Sequence, residues 1–206
     1  MKQNIIVALF DISSEAYQAF SELKAYSQTT DALVAQAVLI KKENGLIIPA
    51  ESTDFTANTA ESAWTGGLIG SLVGILGGPI GVLLGGAIGA LIGSDAGTAQ
   101  TLGEGSLLEN TAKKLDNGST AIIILAQESN EAVLDAFFHR FKTVILRQDA
   151  AVAQQDVLAA IEAQEEVARQ AHEAWKKQRK AERQEKVEAF KADIKQKFDK
   201  LAAKLK

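Results

Sequence analysis

The chain has no cysteine, which excludes disulfide bridges and thiolate metal sites and leaves the compartment open. Glycine and proline are absent from Asp149 to the end, so nothing there punctuates a helix, and one very long helix or two are expected. No charged side chain occurs in the 33 residues between Glu61 and Asp95. Despite the glycine in that block, no Gly-Lys-Ser/Thr ends it and no G-x-G-x-x-G occurs, so a phosphate cradle is not expected. Gly103 and Gly105 are a lone pair before a helix, which a loop explains. HExxH, a Ser/His/Asp order and a paired-carboxylate signature are all missing. The two histidines, His139 and His172, lie far apart and read as structural. Glu162, Glu165 and Glu166 have no His or Cys partner and read as a solvated helix face. No catalytic constellation, cofactor site or metal site is therefore expected. A secretory signal is missing too, because Asp11 interrupts the short apolar stretch at residues 5–10. The expected location is the cytoplasmic side or the inner face of a membrane.

What is present is a glycine ladder. One series reads Gly66, Gly70, Gly74, Gly78, and after Pro79 a second reads Gly81, Gly85, Gly89, Gly93, Gly97. The i, i+4 spacing stacks these residues on one helical face and leaves it as bare backbone. Each such glycine costs roughly 1 kcal/mol against alanine in a water-exposed helix. Small-xxx-small stripes of this kind let backbones approach closely in packed membrane helices. Leu68, Ile69, Leu72, Val73, Ile75 and Leu76, then Val82, Leu83, Leu84, Ile88, Leu91 and Ile92, supply the apolar remainder. The Gly77-Gly78-Pro79 breaker divides the block into two expected helices, about 62–77 and 80–97. At 1.5 Å per residue each arm is roughly 24–27 Å long, marginal against a hydrocarbon core of about 30 Å. Its Leu, Ile and Val gain only about 0.3–0.6 kcal/mol each on insertion.

The flanks read as a mixed domain. Residues 4–10 (NIIVALF) and 120–126 (TAIIILA) are compact apolar runs that predict buried strands. Residues 31–42 and 143–147 predict two further strands. A helix over 15–26, capped by Ser13 or Ser14, presents Ala16, Ala19, Phe20 and Leu23. Glu43-Asn44-Gly45 predicts a hairpin turn, with Leu46-Ile47-Ile48 as a short partner strand that Pro49 stops. Residues 51–61 read as a polar connector. Ser106 and Glu109 form a capping box opening a helix to about Leu115, and Ser129 is expected to cap a helix over 131–141. The order is β-α-β, insertion, β-α-β, so the predicted fold is α+β, a ferredoxin-like split βαβ domain. Its halves are residues 1–50 and 99–148. The glycine-zipper hairpin (51–98) is inserted between them, and a long C-terminal helix (149–206) follows. A shared sheet puts both halves on one side of any membrane, so the hairpin would have to leave and return on the same side.

The segments VALFDISSEAYQAFSELKAY, ALVAQAVLIKKENGLII and above all GGLIGSLVGILGGPIGVLLGGAIGALIGS resemble an uncharacterised bacterial family, described as a predicted membrane protein with a domain of unknown function and a glycine-zipper segment. The resemblance covers roughly residues 3–148. It implies a membrane association and no biochemical activity, and it leaves out the Lys-rich C-terminal helix.

Charge is distributed unevenly. Residues 176–206 hold 12 Lys/Arg against 5 Asp/Glu, a net of +7, so with −4 overall the first 175 residues carry −11. Val157, Ile161, Ala168, Ala171 and Trp175 follow near-heptad spacing. Val187, Phe190, Ile194, Phe198, Leu201 and Leu205 form a second stripe, set among Lys191, Lys195, Lys197 and other lysines. Two readings stand for it: a basic amphipathic helix on an anionic membrane surface, or an oligomer-forming helix with a solvated face. Interleaved acids and the lack of a base-stacking module argue against nucleic acid. The favoured expectation is a scaffold at the membrane's inner face that homo-oligomerises through its glycines and contacts lipid through the basic helix. A pore-like oligomer and a soluble oligomeric ligand-binding domain are the alternatives. The block offers a pore only Thr65, Ser71 and Ser94 as polar lining.

Overall fold

A computed structural model describes residues 1–26, 28–56, 62–79, 81 and 106–204, without side chains for 62–66, 177, 181, 182 and 192–204. It divides into two units, Met1–Gln164 and Glu165–Lys206. The first is an α+β domain. Its elements are β1 (Lys2–Phe10), α1 (Ser13–Lys24), β2 (Ala32–Glu43), β3 (Leu46–Asp54), α2 (Ser62–Gly77), α3 (Leu107–Lys114), β4 (Thr120–Glu128), α4 (Ala132–Phe138), β5 (Thr143–Asp149) and α5 (Ala150–Lys204). The last of these continues as the second unit.

The five strands form one sheet in the order β3-β2-β4-β1-β5, and every neighbouring pair is antiparallel. Without β3, the order β2-β4-β1-β5 is the split βαβ arrangement that the sequence predicts. β1 and β4 lie at the centre, and from Asn4 to Phe10 and from Thr120 to Ala126 every residue is buried. A strand buried on both faces has no polar alternation, which is why NIIVALF and TAIIILA read as continuous apolar runs. Both sheet faces must then be covered. On one face Ile6, Ala8, Phe10, Ile122 and Ile124 pack with Ala16, Ala19, Phe20 and Leu23 of α1 and Leu134 and Phe138 of α4. On the other, Ile5, Val7, Leu9, Ile123 and Leu125 pack with Leu68, Ile69, Leu72, Ile75 and Leu76 of α2. Leu107, Leu108 and Leu115 around α3, and Ala153, Val157 and Ala160 of α5, complete that layer.

Several local expectations are met. Asn44 and Gly45 take φ of 53° and 81°, the left-handed pair that a tight hairpin needs. The Ser106 hydroxyl accepts from the Glu109 N–H at 3.1 Å and opens α3.

Other expectations require correction. Pro49 does not stop the third strand, which runs to Asp54 and takes in the front of the supposed polar connector. The strand is an edge, where a missing N–H on the outer side costs nothing, and a bulge follows at Ala50, since Ile40 pairs with Pro49 and Leu39 with Glu51. Neither Ser13 nor Ser14 caps α1. The Ser13 hydroxyl donates to the Gly118 carbonyl instead. Ser129 does not cap α4 but donates to Asp31, and Asn130 accepts from the Ala132 N–H. The first arm of the glycine block does not leave the domain: α2 lies on the sheet. The second arm, beyond Gly81, lies outside the described residues.

If α2 is part of the folded core, Leu72→Ala lowers unfolding stability by about 2–5 kcal/mol, as for other buried leucines. Urea unfolding of the purified protein measures it. A change under about 0.5 kcal/mol, the range of surface substitutions, would contradict the packing.

Candidate functional site: an open glycine face and a charged helix

The side of α2 away from the sheet carries only small residues. Gly67, Gly70 and Gly74 are exposed, while Leu68, Ile69, Leu72, Ile75 and Leu76 are buried on the opposite side. A Cβ added at Gly67, Gly70 or Gly74 would meet nothing within 4 Å among the described residues. α2 thus keeps a strip of small residues, three glycines with Ser71 among them, and each glycine has a helix-propensity cost of roughly 1 kcal/mol. No close backbone contact within the described residues accounts for it.

The glycines of the predicted zipper do not act alike. Gly70 and Gly74 form the open strip. Gly66 belongs to α2. Gly78 and Gly81 belong to the chain's exit from the helix. A Cβ at Gly78 would approach the Gly74 carbonyl at 2.9 Å, and one at Gly81 would collide with the Leu76 carbonyl. Those two glycines answer to local backbone geometry. Gly85, Gly89 and Gly93 lie outside the described residues. The close approach that does demand glycine is at Gly77, where a Cβ would stand 2.5 Å from the Ile47 carbonyl oxygen of β3. Gly77 stands outside the i, i+4 series and reads from the sequence only as part of the Gly77-Gly78-Pro79 breaker.

The second unit is helix alone. Trp175, Val187 and Phe190 are 52%, 50% and 64% exposed. The Arg179 guanidinium stacks over the Trp175 ring at 4.1 Å. Lys191 pairs with Glu188 at 2.9 Å in an exposed i, i+3 contact worth a few tenths of a kcal/mol at most. Ile194, Lys195, Lys197, Phe198 and Leu201 lie in the same continuous helix. Val157, assigned to the first stripe by its spacing, is instead buried on the domain's sheet, whereas Ile161 is partly exposed.

A buried polar network, invisible to motif reading, closes one end of the sheet. The Glu128 carboxylate is fully shielded and accepts from Asn4 Nδ2 at 2.9 Å and Arg147 Nε at 3.2 Å. Arg147 also donates to Asp135 at 2.6 Å and lies 3.6 Å from Glu131. Burial by itself would lower the Arg147 pKa, but the Asp135 hydrogen bond and the charges of Glu128, Asp135 and Glu131 outweigh it, so the group sits above the usual arginine value. Lys2, Asn4, Glu131, Arg147, Gln148 and Asp149 line an open cavity of about 350 Å³ there. Arg147 is engaged by protein carboxylates on several sides, so the network reads as a clamp joining β1, β4, β5 and α4. Its sequence signal was a polar residue at the end of each of three apolar strands: Asn4, Glu128 and Arg147.

Among the described residues, no group of His, Cys, Asp or Glu could hold a metal ion. No described helix is long and apolar enough to cross a membrane. His139 is exposed at the C-terminus of α4, and His172 is exposed on α5.

Residues 63–162 match the family described as Protein of unknown function (DUF1269). The match starts at α2, takes in α3, β4, α4 and β5, and ends within α5. It therefore holds the described glycine face and two of the five strands, and leaves out β1 to β3 and the basic tail. The family description states no activity, membrane location or glycine zipper. No curated protein and no solved structure matches the chain.

Two substitution sets separate these roles. Gly70→Ala and Gly74→Ala each raise stability by up to about 1 kcal/mol, since the methyl meets open space. Gly77→Ala lowers it by about 1–3 kcal/mol, because the Ile47 backbone must shift. For the network, Arg147→Met leaves Glu128 buried without its cation and costs about 3–5 kcal/mol. Adding Glu128→Gln to that variant restores much of the loss. Equilibrium unfolding measures all of these.

Proposed function

We infer that this chain is a non-catalytic scaffold that self-associates through the glycine face of α2. The basic stretch of α5 would rest on the anionic inner surface of a membrane. The observation that carries the reading is the open strip at Gly67, Gly70 and Gly74, which costs helix stability and is not used by the described part of the chain. A second copy, laying its own α2 across the strip, would reach a backbone-to-backbone distance that side chains forbid. Docking, rather than insertion, suits this arm. Burying Leu68, Ile69, Leu72, Ile75 and Leu76 on the sheet is worth roughly 1.5–3 kcal/mol each. Membrane contact would then come from the C-terminal helix, where the exposed Val187 and Phe190 stand among lysines.

Sedimentation velocity of Gly70→Leu/Gly74→Leu tests the association. The expected result is a smaller assembly with no loss of melting temperature, because a Cβ at either position meets nothing within 4 Å among the described residues. Unchanged mass would refute the glycine contact. Flotation with phosphatidylserine vesicles tests the lipid surface. Lys191→Glu/Lys195→Glu/Lys197→Glu should weaken binding by about 1 kcal/mol or more per site, and raised salt should do the same to the wild type. Equal flotation of variant and wild type would rule that contact out.

A further inference from the structure

We propose that the outer edge of β5 is a second self-association surface, which pairs antiparallel with β5 of another copy about a two-fold axis at Ile145. The inference stands on the sheet and is independent of the glycine face. β3 and β5 are the two edges of the sheet, and they are built differently. β3 carries Pro49, a bulge at Ala50 and the acids Glu51 and Asp54, the devices that keep an edge from pairing. β5 carries none of these over residues 143–146, which read Thr-Val-Ile-Leu. Its one cation, Arg147, is turned inward to Glu128 and Asp135, and Gln148 is held by the Leu107 N–H and Asp156. No strand among the described residues lies beyond β5.

The apolar side chains of this edge are also left half covered. Val144 is 51% exposed, and Ile145 and Leu146 are half-buried, whereas their partners on β1, Leu9, Ala8 and Val7, are buried. A two-fold axis at Ile145 sets Ile145 against itself and Val144 against Leu146 of the second copy, on the same face of the joined sheet. Each of the half-covered residues is then matched by another.

Charge selects the direction. Exposed Lys142 precedes the strand and exposed Asp149 ends it. Antiparallel pairing brings Lys142 within one residue of Asp149 of the second copy, while parallel pairing would align like charges. The occupant is therefore another copy of this chain, and two five-stranded sheets would join into one of ten strands. If the glycine face also pairs, a chain has two isologous contacts, and copies link into extended or ring-like assemblies rather than stopping at a dimer.

The test is Val144→Lys in the full-length chain, made alone and together with Gly70→Leu/Gly74→Leu, with mass read by sedimentation velocity and folding by thermal melting. The glycine variant should remain a dimer. Adding Val144→Lys should reduce it to a monomer with an unchanged melting temperature. A glycine variant that is already monomeric, or mass distributions that Val144→Lys leaves alone in both backgrounds, would overturn the edge pairing. Loss of mass with Val144→Lys but not with the glycine changes would support the edge and refute only the glycine contact. A second measurement does not rely on disruption. The chain lacks cysteine, so Val144→Cys is a unique thiol. In the proposed register the two thiols are offset by two residues, roughly 7 Å along the strands. A short bis-maleimide should cross-link them into a dimer, and only monomer on a denaturing gel would contradict the proposal.

Discussion

A sheet whose central strands are apolar on both sides cannot leave either face to water. β1 and β4 present Ile5, Val7, Leu9, Ile123 and Leu125 on one side and Ile6, Ala8, Phe10, Ile122 and Ile124 on the other. The two helices that belong to the split βαβ pattern, α1 and α4, cover only one of these faces. The other face is covered by α2, α3 and the start of α5. The position of the glycine helix follows from this demand. Its five large aliphatic residues face the sheet, so Gly67, Gly70 and Gly74 face outward.

That orientation gives α2 two tasks on two sides. The side-chain face closes the core, and the backbone face is left smooth. Close contact with the domain itself occurs at one glycine, Gly77, against the Ile47 carbonyl of β3. The rest of the strip is surface that the described domain does not use. The same economy holds at the sheet's end, where Arg147 answers the buried Glu128 and is thereby removed from the β5 edge. Neutralising a buried carboxylate leaves residues 143–146 without an outward charge to guard them.

Much of the fold was legible in the residues. Uninterrupted apolar runs gave β1 and β4, helical spacing gave Ala16, Ala19, Phe20 and Leu23 as the buried side of α1, and Asn44-Gly45 gave the hairpin. Strand order followed from element order, because a split βαβ pattern admits few arrangements. Edge status was harder to see. Pro49 reads as a stop unless one knows that its strand has a free side, and that depends on pairing, not on the neighbours of Pro49 in the chain. The Asn4–Glu128–Arg147 network escaped for a similar reason. Its members are 124 and 19 residues apart, and no local spacing links them.

Local propensity, periodicity and composition were enough for the mixed α+β class, the breaker after α2, a helical C-terminal part and the separation of acidic and basic parts; that this part is one unbroken helix came from the structure. The direction in which the glycine helix faces was set by packing. An apolar helix with a bare stripe fits a membrane hairpin and a sheet cover equally well when read along the chain. What separates the two is whether an uncovered apolar surface stands within reach, and that surface arises only when β1, β2 and β4, distant in sequence, come together as one sheet.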